Sequence, residues 1–74
     1  MKASSGYVMV SGPESGGLDR NGVEFPVWDI GLYHGEDEEP FEAYASRSFE
    51  KALALGQQIA KDRRLEFVND AGRA

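Results

Sequence analysis

The chain has 74 residues, no cysteine and a formal net charge of −5 at pH 7. A chain of this length forms one domain with a thin core, because small domains bury only about 60% of their unfolded surface. The lack of cysteine excludes a disulfide framework and a thiolate zinc site, and the negative charge argues against general nucleic-acid binding. We expect a single acidic cytoplasmic domain over residues 1–74, with neither a signal peptide nor a membrane span.

The first strand-like segment is short and precedes a stretch typical of a loop. Residues 1–6 are expected to be disordered, and Tyr7 to Val10 is rich in β-forming side chains. Residues 11–22 contain four glycines and a proline, which predicts a flexible loop. This loop lacks the lysine and hydroxyl residue that complete a phosphate-binding GxxxxGK[ST] motif. Asn21-Gly22 predicts a tight turn into the next segment.

Residues 23–33 form the longest strand-like segment, and its alternation changes face partway. Pro26, which cannot donate a ladder hydrogen bond, stands just before the change. Because a period of two cannot change face without a bulge or bend, we predict an irregularity near Pro26 to Trp28. The main strand is then Trp28 to Tyr33. Its side chains predicted to face the helix are those of Trp28, Ile30 and Leu32.

Residues 34–40 form a polar turn that contains four consecutive acidic residues, Glu36 to Glu39. The run lacks the alternating oxygen ligands and central glycine of a calcium-binding loop, so we expect a solvated turn without a metal. The next segment alternates cleanly and predicts a third strand, with Phe41, Ala43 and Ala45 facing the core.

An amphipathic helix and a short final strand follow. Apolar or small residues recur at helical spacing at Phe49, Ala52, Leu53, Gly56, Ile59 and Ala60, with Leu55 extending the same stripe. Ser48 stands at the N-cap position, and Gly56 implies close packing because a helical glycine costs about 1 kcal/mol relative to alanine. Leu65 to Val68 is the last strand. The fold class is therefore α+β, an antiparallel β-meander covered on one face by a single helix, in the order β-β-β-α-β.

A sheet with one helix leaves its other face partly bare. The apolar and aromatic residues predicted there are Tyr7, Met9, Tyr33 and Tyr44. Such a face favours a protein partner or a second copy of the chain. We therefore interpret the protein as a small acidic accessory or protein-binding module, which acts as a homodimer or docks a protein partner on its open sheet face.

Catalytic groups are scarce, so we expect no enzymatic activity, no catalytic residue and no cofactor. His34 is the sole histidine and lies beside the acidic turn, where a solvated turn residue is the stronger interpretation. Ser15 is one position out of register with the GxSxG motif of nucleophilic serines. A thin core also makes a poor frame for a preorganised cleft.

A nucleic-acid-binding module remains the alternative interpretation. Residues 1–45 carry nine acidic and two basic side chains, whereas residues 46–74 carry four acidic and six basic ones. The helical half is therefore mildly basic. If the sheet aromatics stacked on bases, Arg47, Lys51 and Arg64 would supply the phosphate contacts, although solvation of these side chains is the more ordinary expectation.

The second half of the chain resembles a known bacterial family. Its residues are Trp28-Asp29-Ile30-Gly31-Leu32 on a strand, Ser48-Phe49-Glu50-Lys51-Ala52-Leu53 at a helix start, and Asn69-Asp70-Ala71-Gly72-Arg73 after the closing strand. Over about residues 23–73 this pattern is similar to the DUF2188 domains and, more distantly, to the HicB antitoxin domain. The resemblance implies the same strand order and no catalytic residues. The HicB segment Pro-Asp-Leu-Pro-Gly-Cys has no counterpart here.

Overall fold

The computed structural model of the chain describes residues 6–72, and within that range it contains four strands and one helix in the predicted order. Their bounds are β1 Gly6–Leu18, β2 Glu24–His34, β3 Glu42–Ser46, α1 Phe49–Arg63 and β4 Glu66–Ala71. The strands form one sheet in the order β3-β2-β1-β4, and α1 packs on one of its faces. The α+β class is confirmed. Of the segment predicted to be disordered, residues 1–5 lie outside the described residues and Gly6 begins β1.

The sheet is mixed, which corrects the prediction of a wholly antiparallel meander. β1 pairs with β2, and β2 with β3, in the predicted antiparallel manner. β4 instead runs parallel to β1, from Glu66 opposite Tyr7 to Ala71 opposite Gly12. Two antiparallel steps make β3 run in the direction of β1. Because α1 carries the chain back along the sheet before β4 begins, β4 runs that way too.

The core lies between α1 and the sheet face toward it. Its residues, each at most 4% exposed, are Val8, Val10, Trp28, Ile30, Leu32, Ala52 and Ala60. The inward face predicted for β2 is thereby confirmed. Trp28 also donates its indole N–H to the carbonyl of Gly72 at 2.9 Å, and its ring packs against Phe49 with centroids 5.8 Å apart. This side chain joins the start of the helix to the end of the last strand.

The helix begins at the predicted N-cap and ends at a left-handed C-cap. The hydroxyl of Ser48 accepts the backbone N–H of Lys51 at 3.2 Å, as predicted for an N-cap. Arg64 closes the other end in the left-handed conformation, with φ of 58°. Glu50 lies in the first turn, and Lys61 and Arg63 lie in the last, where the helix dipole favours their charges.

Gly56 allows the close approach of α1 to the sheet. A Cβ at this position would lie 2.7 Å from Cγ2 of Val10 and 2.9 Å from Cε1 of Phe67. Both distances are too short for carbon atoms, so the missing side chain sets the spacing between helix and sheet, as the sequence implied. Leu55 does not join the buried stripe and is 38% exposed, because it lies on the flank of the helix away from the sheet.

β1 continues through most of the segment expected to be a loop, so the loop assigned to residues 11–22 is corrected. Residues 11–18 belong to the strand, and the turn to β2 is confined to residues 19–23. The ladder with β2 has two register shifts, one between Ser11 and Glu14, where Gly12 adopts a φ of 120°. This shift lies opposite Trp28, where the sequence predicts an irregularity, but the extra residues belong to β1. Gly12, Gly16 and Gly17 therefore lie at bulges in β1 and do not form a loop.

Beyond Gly12 and Trp28, β1 and β2 leave the four-stranded region and pair with each other in a hairpin arm (residues 13–27). At its tip the carboxylate of Asp19 accepts the backbone N–H groups of Asn21 at 2.8 Å and Val23 at 3.0 Å. These hydrogen bonds, with that of Val23 the stronger influence, lower the pKa of Asp19. The arm therefore has a defined turn although it lies beyond the covered region.

The third strand presents the opposite face from the predicted one. Phe41 precedes β3 and is 46% exposed, and Ala43 and Ala45 are also exposed. In the observed register Leu32 lies opposite Glu42 and Ile30 opposite Tyr44. Residues paired across strands share a face, so the polar residues of β3 lie on the helix side. The predicted alternation of β3 was right. Because β3 is an edge strand that α1 barely covers, its apolar residues do not have to face the helix.

Candidate protein-docking face of the sheet

The sheet face away from α1 is called the open face here, because no element of the described chain packs over it. Side chains alternate along each strand, so the residues between the core positions point to this face. One cross-strand row places Ala43, Gly31, Met9 and Val68 side by side on four strands. A neighbouring row places Tyr33 opposite Tyr7. The larger of these side chains are half-buried, so the open face has a continuous apolar strip.

A stacked tyrosine pair forms the most ordered part of the open face. The rings of Tyr7 and Tyr33 are 5.0 Å apart at their centroids and 9° from parallel. Tyr33 also lies over Gly31, where a Cβ would be 2.8 Å from Cε1 of that ring. Burial, followed by the nearby Tyr7, raises the pKa of Tyr33. The two rings therefore pack against each other and form one neutral aromatic group on the open face.

Gly31 leaves room for the ring of Tyr33, which the sequence pattern did not predict. It lies two residues before Tyr33 on the same strand face, so a side chain here would displace the ring. A glycine inside an otherwise apolar strand, followed two positions later by an aromatic residue, is a usable sequence signal for such a site. The observed stack of Tyr33 on Tyr7 depends on the space that this glycine leaves.

Tyr44 does not belong to this site, which corrects its predicted position. It lies on the helix side of β3 and donates its hydroxyl hydrogen bond to the carboxylate of Glu42. The guanidinium of Arg63 in α1 donates two hydrogen bonds, of 3.0 and 3.1 Å, to the same carboxylate. The hydrogen bond from Arg63, followed by that from Tyr44, lowers the pKa of Glu42. Tyr44 is thus part of a clamp that holds the edge strand to the helix.

Carboxylates cross the open face beside the apolar strip. The row next to Met9 aligns Asp29, Ser11 and Asp70 on three adjacent strands. Glu14 lies beside Asp29, and the hydrogen bond and the repulsion between the two carboxyl groups raise the pKa of Glu14. Glu66 lies opposite Tyr7 on the same face. We call Glu14, Asp29, Glu66 and Asp70 the acidic border.

The residues of the alternative nucleic-acid site are not brought together. The guanidinium of Arg47 lies over the ring of Phe25, 3.7 Å from its centroid. Lys51 is in the first turns of α1, and Arg64 caps its other end, about 20 Å away at 1.5 Å per residue. Lys51 and Arg64 therefore neither form one cationic patch nor share a face with the stacked tyrosines.

The remaining polar features lie at the surface. His34 stacks on Phe41 with centroids 4.0 Å apart, which ties the start of the acidic turn to its end. Residues 35–40 are exposed. A shallow cleft of about 300 Å³ on the arm is lined by Pro13, Glu14, Ser15, Glu24, Phe25 and Pro26. Among the described residues, no group of three or more histidine, aspartate or glutamate side chains is arranged to hold a metal.

The chain was compared with known proteins in three ways. Protein-family models, curated proteins and solved structures each gave no match. The resemblance to DUF2188 and HicB domains stays a prediction. The helix of the described range, α1, is too short and too polar to cross a membrane. The geometry of the open face is therefore the basis on which a function can be argued.

Proposed function

We propose that this protein is a small non-enzymatic binding module that docks a protein partner on its open face. The observation that supports the proposal is the contrast between the two sides of one sheet. One side is covered by α1, whereas the other carries the Tyr7 and Tyr33 stack beside Met9 and Val68, and no element within residues 6–72 packs over it. The cytoplasmic location expected from the cysteine-free composition is part of the same proposal.

The surface has the character of a protein-docking site. Aromatic residues and methionine are enriched in the cores of protein interfaces, where they bury large areas at low entropic cost. The stacked pair is ordered in advance, so a partner does not have to immobilise it. A flat face of this kind does not enclose a small molecule, which needs a concave site. The dispersed cations, in turn, give no support to nucleic-acid binding as the main function.

Photo-crosslinking from the centre of the open face tests the proposal. A chain with p-benzoylphenylalanine in place of Met9 is expressed in the source cells and irradiated. We expect a covalent adduct to one discrete protein, either a different chain or a second copy of this one, because Met9 lies in the middle of the strip. The adduct is identified by mass spectrometry.

The matched control carries the same photo-reactive residue in place of Gln57, which is exposed on α1. We expect no discrete adduct from this position. Both variants must give the circular dichroism spectrum of the native chain. Absence of an adduct from position 9, or the same adducts from positions 9 and 57, would show that the open face is not the docking site.

A further inference from the structure

We propose that the occupant of the open face is a basic segment of a partner protein, whose lysine or arginine side chains pair with Glu14, Asp29 and Asp70 while its apolar side chains rest on Met9 and the tyrosine stack. This inference rests on the proposed function and adds the chemistry of the partner. It follows from the charges that share the face with the apolar strip.

Among the described residues of the open face, the charged side chains other than Arg47 are acidic. Its acidic border contributes four carboxylates, whereas its described cation, Arg47, is already placed over Phe25 at the base of the arm. Asp29 and Asp70 flank Ser11 on the two adjacent strands, so their Cα atoms are about 10 Å apart at the usual strand spacing. Two partner cations therefore fit in one row, directly beside the apolar row of Met9.

Two carboxyl groups of the acidic border lie beside each other. The register pairs Ser11 with Asp29 and Glu14 with Val27, so Glu14 is diagonal to Asp29, and the hydrogen bond between their carboxyl groups, followed by their repulsion, raises the pKa of Glu14. A cation between them removes the repulsion and adds two attractive interactions. The free protein thus holds a like-charge contact that a basic partner relieves and a neutral partner leaves in place.

The same charges argue against a second copy of this chain as the occupant. Face-to-face pairing of two identical open faces brings together two acidic borders, and among residues 6–72 of each copy the two Arg47 side chains cannot balance eight carboxylates. Like charges opposed across an interface disfavour association and so select against this partner. Charge complementarity therefore favours a basic segment.

Two synthetic peptides of opposite charge test the inference. One has the sequence Lys-Val-Lys-Tyr-Lys-Val-Lys, and the other replaces every lysine with glutamate. Binding is followed by the methyl resonances of Met9 and Val68 on the open face, with Val10 in the core as the internal reference. We expect the lysine peptide to shift Met9 and Val68 in ~50 mM salt, and to bind more weakly in ~300 mM salt because of screening. The glutamate peptide is expected to leave them unchanged.

Paired variants locate the charge effect. Asp29→Asn with Asp70→Asn removes two carboxylates from the open face. We expect this double variant to bind the lysine peptide about 3- to 20-fold more weakly, which corresponds to the loss of two partly exposed ion pairs. Glu36→Gln with Glu38→Gln removes the same charge from the exposed turn and is expected to change the affinity less than about twofold. Each variant is first checked by circular dichroism for the fold of the native chain.

Several results would overturn the inference. These are no methyl shift with the lysine peptide at millimolar concentration, equal binding of the glutamate peptide, or equal weakening by the two variant pairs. A crosslink from position 9 to a second copy of this chain would also overturn it, while leaving the proposed docking function intact. Failure of the docking function itself is recognised separately, by the absence of any discrete adduct from position 9.

Discussion

The two faces of the sheet use the same strands for different purposes. On the covered face, Val8, Val10, Ile30 and Leu32 are completely buried beneath α1. On the open face, the alternating positions of the same two strands include the half-buried Tyr7, Met9 and Tyr33, which are bordered by carboxylates. Alternation along the strand therefore separates the two tasks: substitutions on the covered face should change stability, and substitutions on the open face should change association.

Truncation of Trp28 should destabilise the covered face more than any other substitution proposed here. We expect Trp28→Ala to lower the free energy of unfolding by about 3–5 kcal/mol, because it leaves a large cavity and removes the hydrogen bond to Gly72. A domain of 74 residues has roughly 4–11 kcal/mol in total, so the variant should be unfolded if the native chain lies at the lower end of this range and clearly less stable if it lies at the upper end. Urea denaturation followed by circular dichroism measures this. Trp28→Phe, which keeps most of the packing, should remain folded; equal losses in both variants would contradict the role of ring packing.

A methyl group at Gly56 tests the spacing between helix and sheet. Gly56→Ala should lower the free energy of unfolding by about 1–2 kcal/mol, because overpacking against Val10 and Phe67 exceeds the gain of about 1 kcal/mol in helix propensity. Gln57→Ala on the exposed side is the control and should be neutral or slightly stabilising. A more stable Gly56→Ala variant in urea denaturation would show that the helix can move away from the sheet without cost.

Removal of the Tyr33 ring tests whether a substitution on the open face changes association more than stability. Tyr33→Ala should cost only about 1 kcal/mol, since it removes the stack with Tyr7 but creates no cavity in the core. The variant should remain folded in circular dichroism and lose the crosslink from position 9. Tyr33→Phe keeps the stack and should retain both properties. A folded Tyr33→Ala variant with an undiminished crosslink would exclude the tyrosine stack from the docking surface.

Glu42 and Glu14 should affect stability with opposite dependence on pH. The pKa of Glu42 is lowered in the folded protein, so its contribution is present above the ordinary value of 4.5 and is lost as pH falls through the lowered value. Glu42→Gln should therefore lower the thermal midpoint at neutral pH and converge with the native chain in acid. The carboxyl groups of Glu42 and Glu14 lie at the surface, so substitutions at these residues should change the thermal midpoint less than any other substitution proposed above.

The pKa of Glu14 is raised, so the sign reverses. Stability of the native chain should fall as pH rises from 4.5 through the raised value, because the folded state then releases a proton that it holds more tightly than the unfolded state does. Glu14→Gln should match the native chain in acid and melt at a slightly higher temperature at neutral pH. A lower midpoint at neutral pH would show that Glu14 does not face Asp29 as a repelling group.

The sequence predicted the elements that depend on local chemistry. The N-cap at Ser48, the inward face of β2 and the packing role of Gly56 follow from hydrogen-bonding groups and periodicity within a few residues of each position. The face of β3 and the direction of β4 depend instead on pairing between distant segments. Tyr44 was misplaced for that reason, since alternation fixes which residues share a face but leaves open which face is covered. The open-face positions of Tyr7, Met9 and Tyr33 were predicted, whereas the acidic border and Gly31 required the register.

The parallel pairing of β1 with β4 also sets an order of events during synthesis. β1 occupies an inner position of the sheet, but one of its two neighbours is the last element of the described chain, with Val8 opposite Phe67. The nascent chain can form the hairpin of β1 and β2 early, yet one edge of β1 stays unpaired until residues 66–71 have left the ribosome. Contacts between such distant segments slow folding, and an unpaired inner strand is open to pairing with other chains in the meantime. The nascent chain should therefore be most vulnerable to aggregation in the interval between synthesis of β1 and synthesis of β4.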